Sequence, residues 1–179
     1  MTVHAQTATA YAEKIAPEIV RIERLLPANV DRVWSYLTRS DKRSQWLAAG
    51  DMELKVGGRV EHVFRNSELT RNDDPAPEKY KSLTGEFRMI GEITECDPMR
   101  LLAYTWDDDS EVRYELTPVG GQTRLVVTHS RLTSRGGLIG FSAGWHTHLD
   151  ILADRLAGKE PAGFWRTHTR LESEYQERF

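Results

Sequence analysis

The chain has 179 residues, 39% of them hydrophobic and 28% charged, with 24 basic against 27 acidic residues and a formal net charge of −3. That length and composition suit one soluble globular domain with a sizeable core. The charge balance gives no footprint for nucleic acid, and no apolar run is long enough to cross a bilayer. A lone cysteine, Cys96, excludes an internal disulfide and a Cys-based zinc site. The opening MTVHAQTATAYAEK has neither a basic nor an apolar signal region, so a reducing, cytoplasmic setting is expected.

Residues 1–18 read as an N-terminal extension closed by Pro17, and Ile19–Leu25 as a strand whose imperfect alternation suits a sheet edge. Pro27-Ala28-Asn29-Val30-Asp31 is a helix start, with Asn29 or Asp31 as cap; Val30, Val33, Trp34 and Leu37 then recur at helical spacing. A second short helix begins at Ser40-Asp41 and presents Trp46 and Leu47. Met52–Val56 alternates as a strand, Gly57-Gly58 makes a tight turn, and Arg59–Phe64 resumes the sheet. Residues 65–82, with two prolines and many charges, read as one long mobile loop.

Four more strands are expected over Gly85–Glu95, Arg100–Trp106, Glu111–Thr117 and Thr123–Leu132. Turn signals separate them at Asp97-Pro98, Asp107–Ser110 and Pro118–Gly121, and connections this short demand antiparallel hairpins. After Gly136-Gly137 comes the strongest helix, with an inward stripe of Trp145, Leu149, Leu152 and Leu156 and with Asp150, Asp154 and Arg155 facing solvent. Residues 162–179 read as a further helix with Phe164, Trp165, His168, Leu171 and Tyr175 on its apolar face. The result is an α+β domain in which a curved antiparallel sheet is covered by one long amphipathic helix.

Gly140-Phe141-Ser142-Ala143-Gly144 matches G-x-S-x-G, but a nucleophile elbow needs a strand ending at the serine in a parallel sheet. Here the strand ends well before it, so Ser142 is expected in the long helix and the match is coincidental. His146 and His148 point apart on a helix, and His146 with Asp150 reads as a surface pair. Asp107-Asp108-Asp109 with Glu111 lacks the spacing of a calcium loop and reads as a solvated hairpin tip. No metal or nucleotide cofactor is implied. Phe64, Phe87, Tyr104, Trp106, Tyr114 and Trp145, with His129, His148 and Leu149, fall on inward faces by parity or helical stripe. They are the candidate lining of a cavity, with Tyr114 and His129 as the polar groups that would orient a ligand.

The order of elements, together with Leu26-Pro27-Ala28-Asn29-Val30, Val33-Trp34, Trp46, Gly57-Gly58, Gly85-Glu86, Asp97-Pro98, Thr105-Trp106, Thr123-Arg124-Leu125, Thr128-His129 and Gly144-Trp145, resembles the START/Bet v 1-like (SRPBCC) superfamily. Within it the chain is similar to the branch named after the C-terminal domain of the activator of the Hsp90 ATPase, over roughly residues 19–157. The resemblance implies a helix-grip fold, a curved antiparallel sheet wrapped around a C-terminal helix with an internal cavity. It also implies binding of an apolar or amphipathic small molecule there. Two alternatives stay open: a cyclase, aromatase or hydrolase with His129 as general base, and a chaperone co-factor by analogy with the family's name. Residues 158–179 lie beyond the minimal fold; the preferred reading docks them on the body through Trp165 and Leu171, the other makes them a homodimer contact or a flap over the cavity mouth.

Overall fold

The computed structural model describes residues 10–106 and 109–179. Residues 1–9 of the expected extension and Asp107-Asp108 of the expected hairpin tip lie outside the described residues. The strands are β1 (Glu13–Ala16), β2 (Ile19–Leu26), β3 (Arg59–Phe64), β4 (Phe87–Asp97), β5 (Leu101–Thr105), β6 (Glu111–Val119) and β7 (Gln122–Ser130). The helices are α1 (Val30–Thr38), α2 (Ser40–Arg43), α3 (Arg135–Leu156) and α4 (Phe164–Arg178).

All seven strands join one antiparallel sheet in the order β1-β2-β7-β6-β5-β4-β3. The hairpins from β4 to β7 follow from their short turns. β2 instead crosses over to pair with β7, placing Val20 opposite His129 and Leu26 opposite Thr123. Residues sharing the inner parity, among them Ile22 of β2, Tyr104 of β5, Tyr114 of β6 and Val127 of β7, pack against Trp145, Leu149 and Leu152 of α3 in one core. This is the helix-grip architecture expected from the resemblance.

Two features let the sheet curl. Gly91 of β4 lies so near Thr105 that an added Cβ would sit 2.1 Å from that carbonyl oxygen, so the backbones approach only because no side chain is present. The register of β4 on β5 shifts between Ile93 and Glu95, an irregularity that bends a strand. At the crossover, the Asn29 side chain accepts the Arg32 N–H at 3.0 Å and caps α1, a contact worth about 1 kcal/mol.

Several expectations need correction. Part of the supposed extension is strand β1, which pairs with β2 around a turn at Pro17-Glu18, so β2 is not an edge. Met52–Val56 is not a regular strand. It meets β3 only through isolated bridges, Ala49 to Val63 and Met52 to Val60, before the chain loops out at Gly57. Helix α3 starts earlier than expected: Ser134 accepts the Gly137 N–H at 3.0 Å, which puts Gly136 and Gly137 inside the first turn. Asp150 is not a free surface group, because it pairs with Arg24 at 3.1 Å, whose side chain is 1% exposed. The surface pair expected of His146 and Asp150 is likewise wrong on the histidine side, since His146 is buried.

The long loop is not a free excursion. It carries short 3-10 turns at Asn66–Glu68 and Glu78–Leu83 and is bonded to α4. Thr70 Oγ1 accepts the Phe164 N–H at 2.8 Å, Asp73 accepts the Trp165 N–H at 2.8 Å, and Glu172 receives Lys79 at 2.8 Å and Tyr80 at 2.6 Å. Helix α4 docks on α3 and buries Trp165, Leu171 and Tyr175.

Candidate functional site

Helix α3 makes room for the site by lacking side chains. A Cβ built on Gly136, Gly140 or Gly144 would meet nothing within 4 Å. Spaced four apart, these glycines share a face. That face borders a cavity of about 390 Å³ lined by α3, the sheet, the long loop and α4.

Aromatic rings supply most of the walls. Phe64 and Phe87 sit opposite each other across β3 and β4 and stack at 4.6 Å with 9° between planes. Trp106 follows β5 and meets Trp145 edge-on at 5.5 Å and Phe141 at 6.2 Å. From α4 come Phe164, Trp165 and His168, and from the long loop Asn66, Tyr80 and Leu83. Exposed Gly136 and half-buried Leu83 stand at the rim.

Among the described residues the lining carries no Asp, Glu, Lys or Arg. Its polar members are neutral. The ring of His148 bonds the Trp46 carbonyl through Nδ1 at 2.7 Å, and since a carbonyl only accepts, Nδ1 holds the proton and Nε2 is a lone-pair acceptor. Burial pushes the His148 pKa down to about 4, so the ring stays uncharged at neutral pH. Asn66 and His168 are buried, and Asn66 Oδ1 and His168 Nδ1 have no hydrogen-bond partner among the described residues. Burial also holds His168 below its ordinary value.

Of the side chains expected from the sequence, Phe64, Phe87, Trp106, Trp145 and His148 border this cavity; Tyr104, Tyr114, His129 and Leu149 do not. Tyr114 and His129, expected as its polar groups, are buried behind the aromatic wall. The Tyr104 hydroxyl bonds His62 Nε2 at 2.9 Å and the Tyr114 hydroxyl at 2.8 Å, and burial raises the pKa of both phenols. His129 accepts the Trp145 indole N–H on Nδ1 at 3.0 Å, which leaves the proton of the neutral ring on Nε2, 2.7 Å from Ser110 Oγ. A ring so placed lacks the open lone pair that a general base presents to substrate. Leu149 packs in the core.

Ser142 of the G-x-S-x-G match is fully buried within α3 and does not border the cavity; the flanking glycines and Phe141 do. The motif thus contributes space, not a nucleophile. The sequence reading missed Asn66, Tyr80, Leu83, Phe141, Phe164, Trp165 and His168. Two signals pointed to them: glycines at helical spacing on one face, and Tyr80 and Leu83 as isolated apolar residues in a charged loop. A separate buried network lies around Asp150: the Tyr175 hydroxyl meets His146 Nδ1 at 3.0 Å, and His146 Nε2 lies 3.5 Å from Asp150 Oδ2. Among the described residues no group of three His, Cys, Asp or Glu is placed to hold a metal ion, and no helix is long and apolar enough to cross a membrane.

Comparison with known proteins places this geometry. No curated protein matches the chain. The solution structure of the protein encoded by gene BPP1335 of Bordetella parapertussis is similar along the whole chain, at 36% identity and a TM-score of 0.80, covering 100% of this chain and 96% of that one. The crystal structure of CalU16 from Micromonospora echinospora shares the fold at 23% identity and a TM-score of 0.65, covering 89% and 86%. DynU16, described as a protein in the dynemicin biosynthetic locus, shares it at 22% identity and a TM-score of 0.62, covering 83% of this chain and 51% of that one. The sequence profile described as Activator of Hsp90 ATPase homolog 1-like protein matches residues 27–157, from the crossover to the end of α3. With most of its length matched by that profile and its sheet wrapped around α3 in the corresponding way, the chain belongs to the Activator of Hsp90 ATPase homolog 1-like family.

Proposed function

We propose that the protein binds a hydrophobic or aromatic small molecule in the cavity between the sheet, α3 and α4. The observation that carries this is the glycine face of α3. Three missing side chains along the N-terminal half of α3 cost helix propensity, yet they leave open space opposite a wall of aromatic rings. The volume of about 390 Å³ falls within the usual range for ligand pockets, and an apolar lining with few polar groups is their usual composition. The driving force is desolvation of ligand and rings, at about 25 cal/mol per Å² of apolar area before ordering costs.

Two measurements test this. Native mass spectrometry of protein purified from its own host is expected to show a retained small molecule. Titration with N-phenyl-1-naphthylamine is expected to quench the fluorescence of Trp106, Trp145 and Trp165, all of which border the cavity. Gly144→Leu, which projects a side chain into the open space, is expected to abolish the quenching while the protein stays folded. Unchanged binding in Gly144→Leu would place the probe elsewhere and sink the assignment.

A further inference from the structure

The cavity's polar inventory says what kind of molecule it accepts. Among the described residues no charged side chain borders it, so an ionised carboxylate entering it would lose its hydration with no cation there to meet it, which is strongly unfavourable. Three of the lining hydrogen-bond donors are already used inside the protein. The Tyr80 hydroxyl donates to Glu172, the Trp145 indole N–H to His129 and the Trp165 indole N–H to Ser67 Oγ at 2.9 Å.

The acceptors are different. His148 Nε2 holds a lone pair in a ring whose tautomer the Trp46 carbonyl fixes, and Asn66 Oδ1 has no partner among the described residues. A buried acceptor left empty costs free energy that a ligand N–H or O–H recovers. Their two residues lie on different elements that line one space, among rings that favour flat partners.

Resting on the assignment of the cavity as a ligand site, we propose that its ligand is a neutral aromatic molecule that donates a hydrogen bond, a phenol or a ring-bound N–H, and that fatty acids and other carboxylates are excluded. His148 Nε2 is the principal acceptor and Asn66 Oδ1 the second. The same arrangement separates a phenol from its deoxy analogue, because the unfilled acceptors would remain unfilled with the latter.

The test is a matched series of naphthalene, 2-naphthol and 2-naphthoate, titrated at pH 7 into the full chain and followed by tryptophan quenching. The naphthol is expected to bind at least about tenfold tighter than naphthalene, the worth of one well-made hydrogen bond, and at least about tenfold tighter than the naphthoate. His148→Asn keeps an amide N–H for the Trp46 carbonyl but removes the Nε2 acceptor, and is expected to bring naphthol within about threefold of naphthalene while naphthalene itself is unaffected. If naphthoate binds as tightly as naphthol, or naphthol no tighter than naphthalene, the proposal falls and the ligand cavity stands. If none of the three binds, the cavity assignment falls with it. Should His148→Asn fail to fold, the series on the unaltered protein still decides.

Discussion

Asp73 caps helix α4 from across the molecule, its carboxylate accepting the Trp165 N–H at 2.8 Å and the Arg166 N–H at 3.2 Å. The local N-cap position is Gly163, which has no side chain to do this, and a Cβ there would lie 2.4 Å from Asp73 Oδ1. A loop residue and a missing side chain thus share one capping task. Asp73→Ala is expected to destabilise the protein by about 1 kcal/mol, within the range for lost caps. Hydrogen exchange should rise together at the first turn of α4 and in residues 65–86; a rise at α4 alone would show that the loop is held by other contacts.

Glu172 is the second tie between the loop and α4. Burial pushes its carboxyl up, but the hydrogen bonds from Lys79 and Tyr80 outweigh that and hold it below its ordinary value. Glu172→Gln removes the charge from both contacts. Ligand association and dissociation, measured by stopped-flow quenching, are expected to speed up severalfold with Kd changed less, because the substitution loosens a wall without altering the lining acceptors. Unchanged rates would show that ligand does not enter past Tyr80.

Gly144 trades helix stability for space. Alanine in a helix interior is favoured over glycine by about 1 kcal/mol, and the added Cβ meets nothing. Gly144→Ala is therefore expected to raise the midpoint of urea unfolding while weakening ligand binding. A loss of stability would mean that the space is already filled.

Arg24 is buried with its guanidinium on Asp150, and it also donates to the Ala10 carbonyl at 2.7 Å and the Glu23 carbonyl at 2.8 Å. Asp150→Ala would leave that cation without a counter-charge and is expected to cost about 3 kcal/mol by denaturant unfolding. A cost under about 1 kcal/mol would show that the carbonyls alone suffice.

Acid should weaken the protein well above the ordinary carboxylate range. Burial, first of all, holds His62, His146, His148 and His168 below the ordinary histidine value of 6.5, His146 at about 3 and His148 at about 4. Above pH 6.5 neither folded nor unfolded chain protonates them, and their contribution to stability is fully present. As pH falls below that, the unfolded chain takes up protons that the folded one refuses, at up to about 1.4 kcal/mol per pH unit for each histidine until its folded ring titrates. Asp150 acts in the opposite sense. Burial raises it to about 6, so its folded carboxyl holds a proton that the unfolded one releases, and on acidification below about 6 it offsets one histidine. The net expectation is a Tm that falls steadily between pH 6.5 and 4.5; a flat profile would contradict the neutral, buried state of these rings.

The fold was legible in the sequence because its signals are local. Alternation in β2 and β6, turn chemistry at Pro118–Gly121 and the apolar stripe of α3 each fix an element from neighbours a few residues apart, and short hairpins leave little choice of pairing. The inward rings Phe64, Phe87, Trp106 and Trp145 could be named for the same reason. Parity places a side chain on a face, but it does not say whether that face meets another side chain or an empty volume. Tyr114 and His129 share the inner face of the sheet, yet Tyr104 and Trp145 claim their polar atoms. The cavity's own polar groups, His148, Asn66 and His168, come from three segments far apart in the chain. That convergence is set only when the long loop and α4 dock on each other through Asp73 and Glu172.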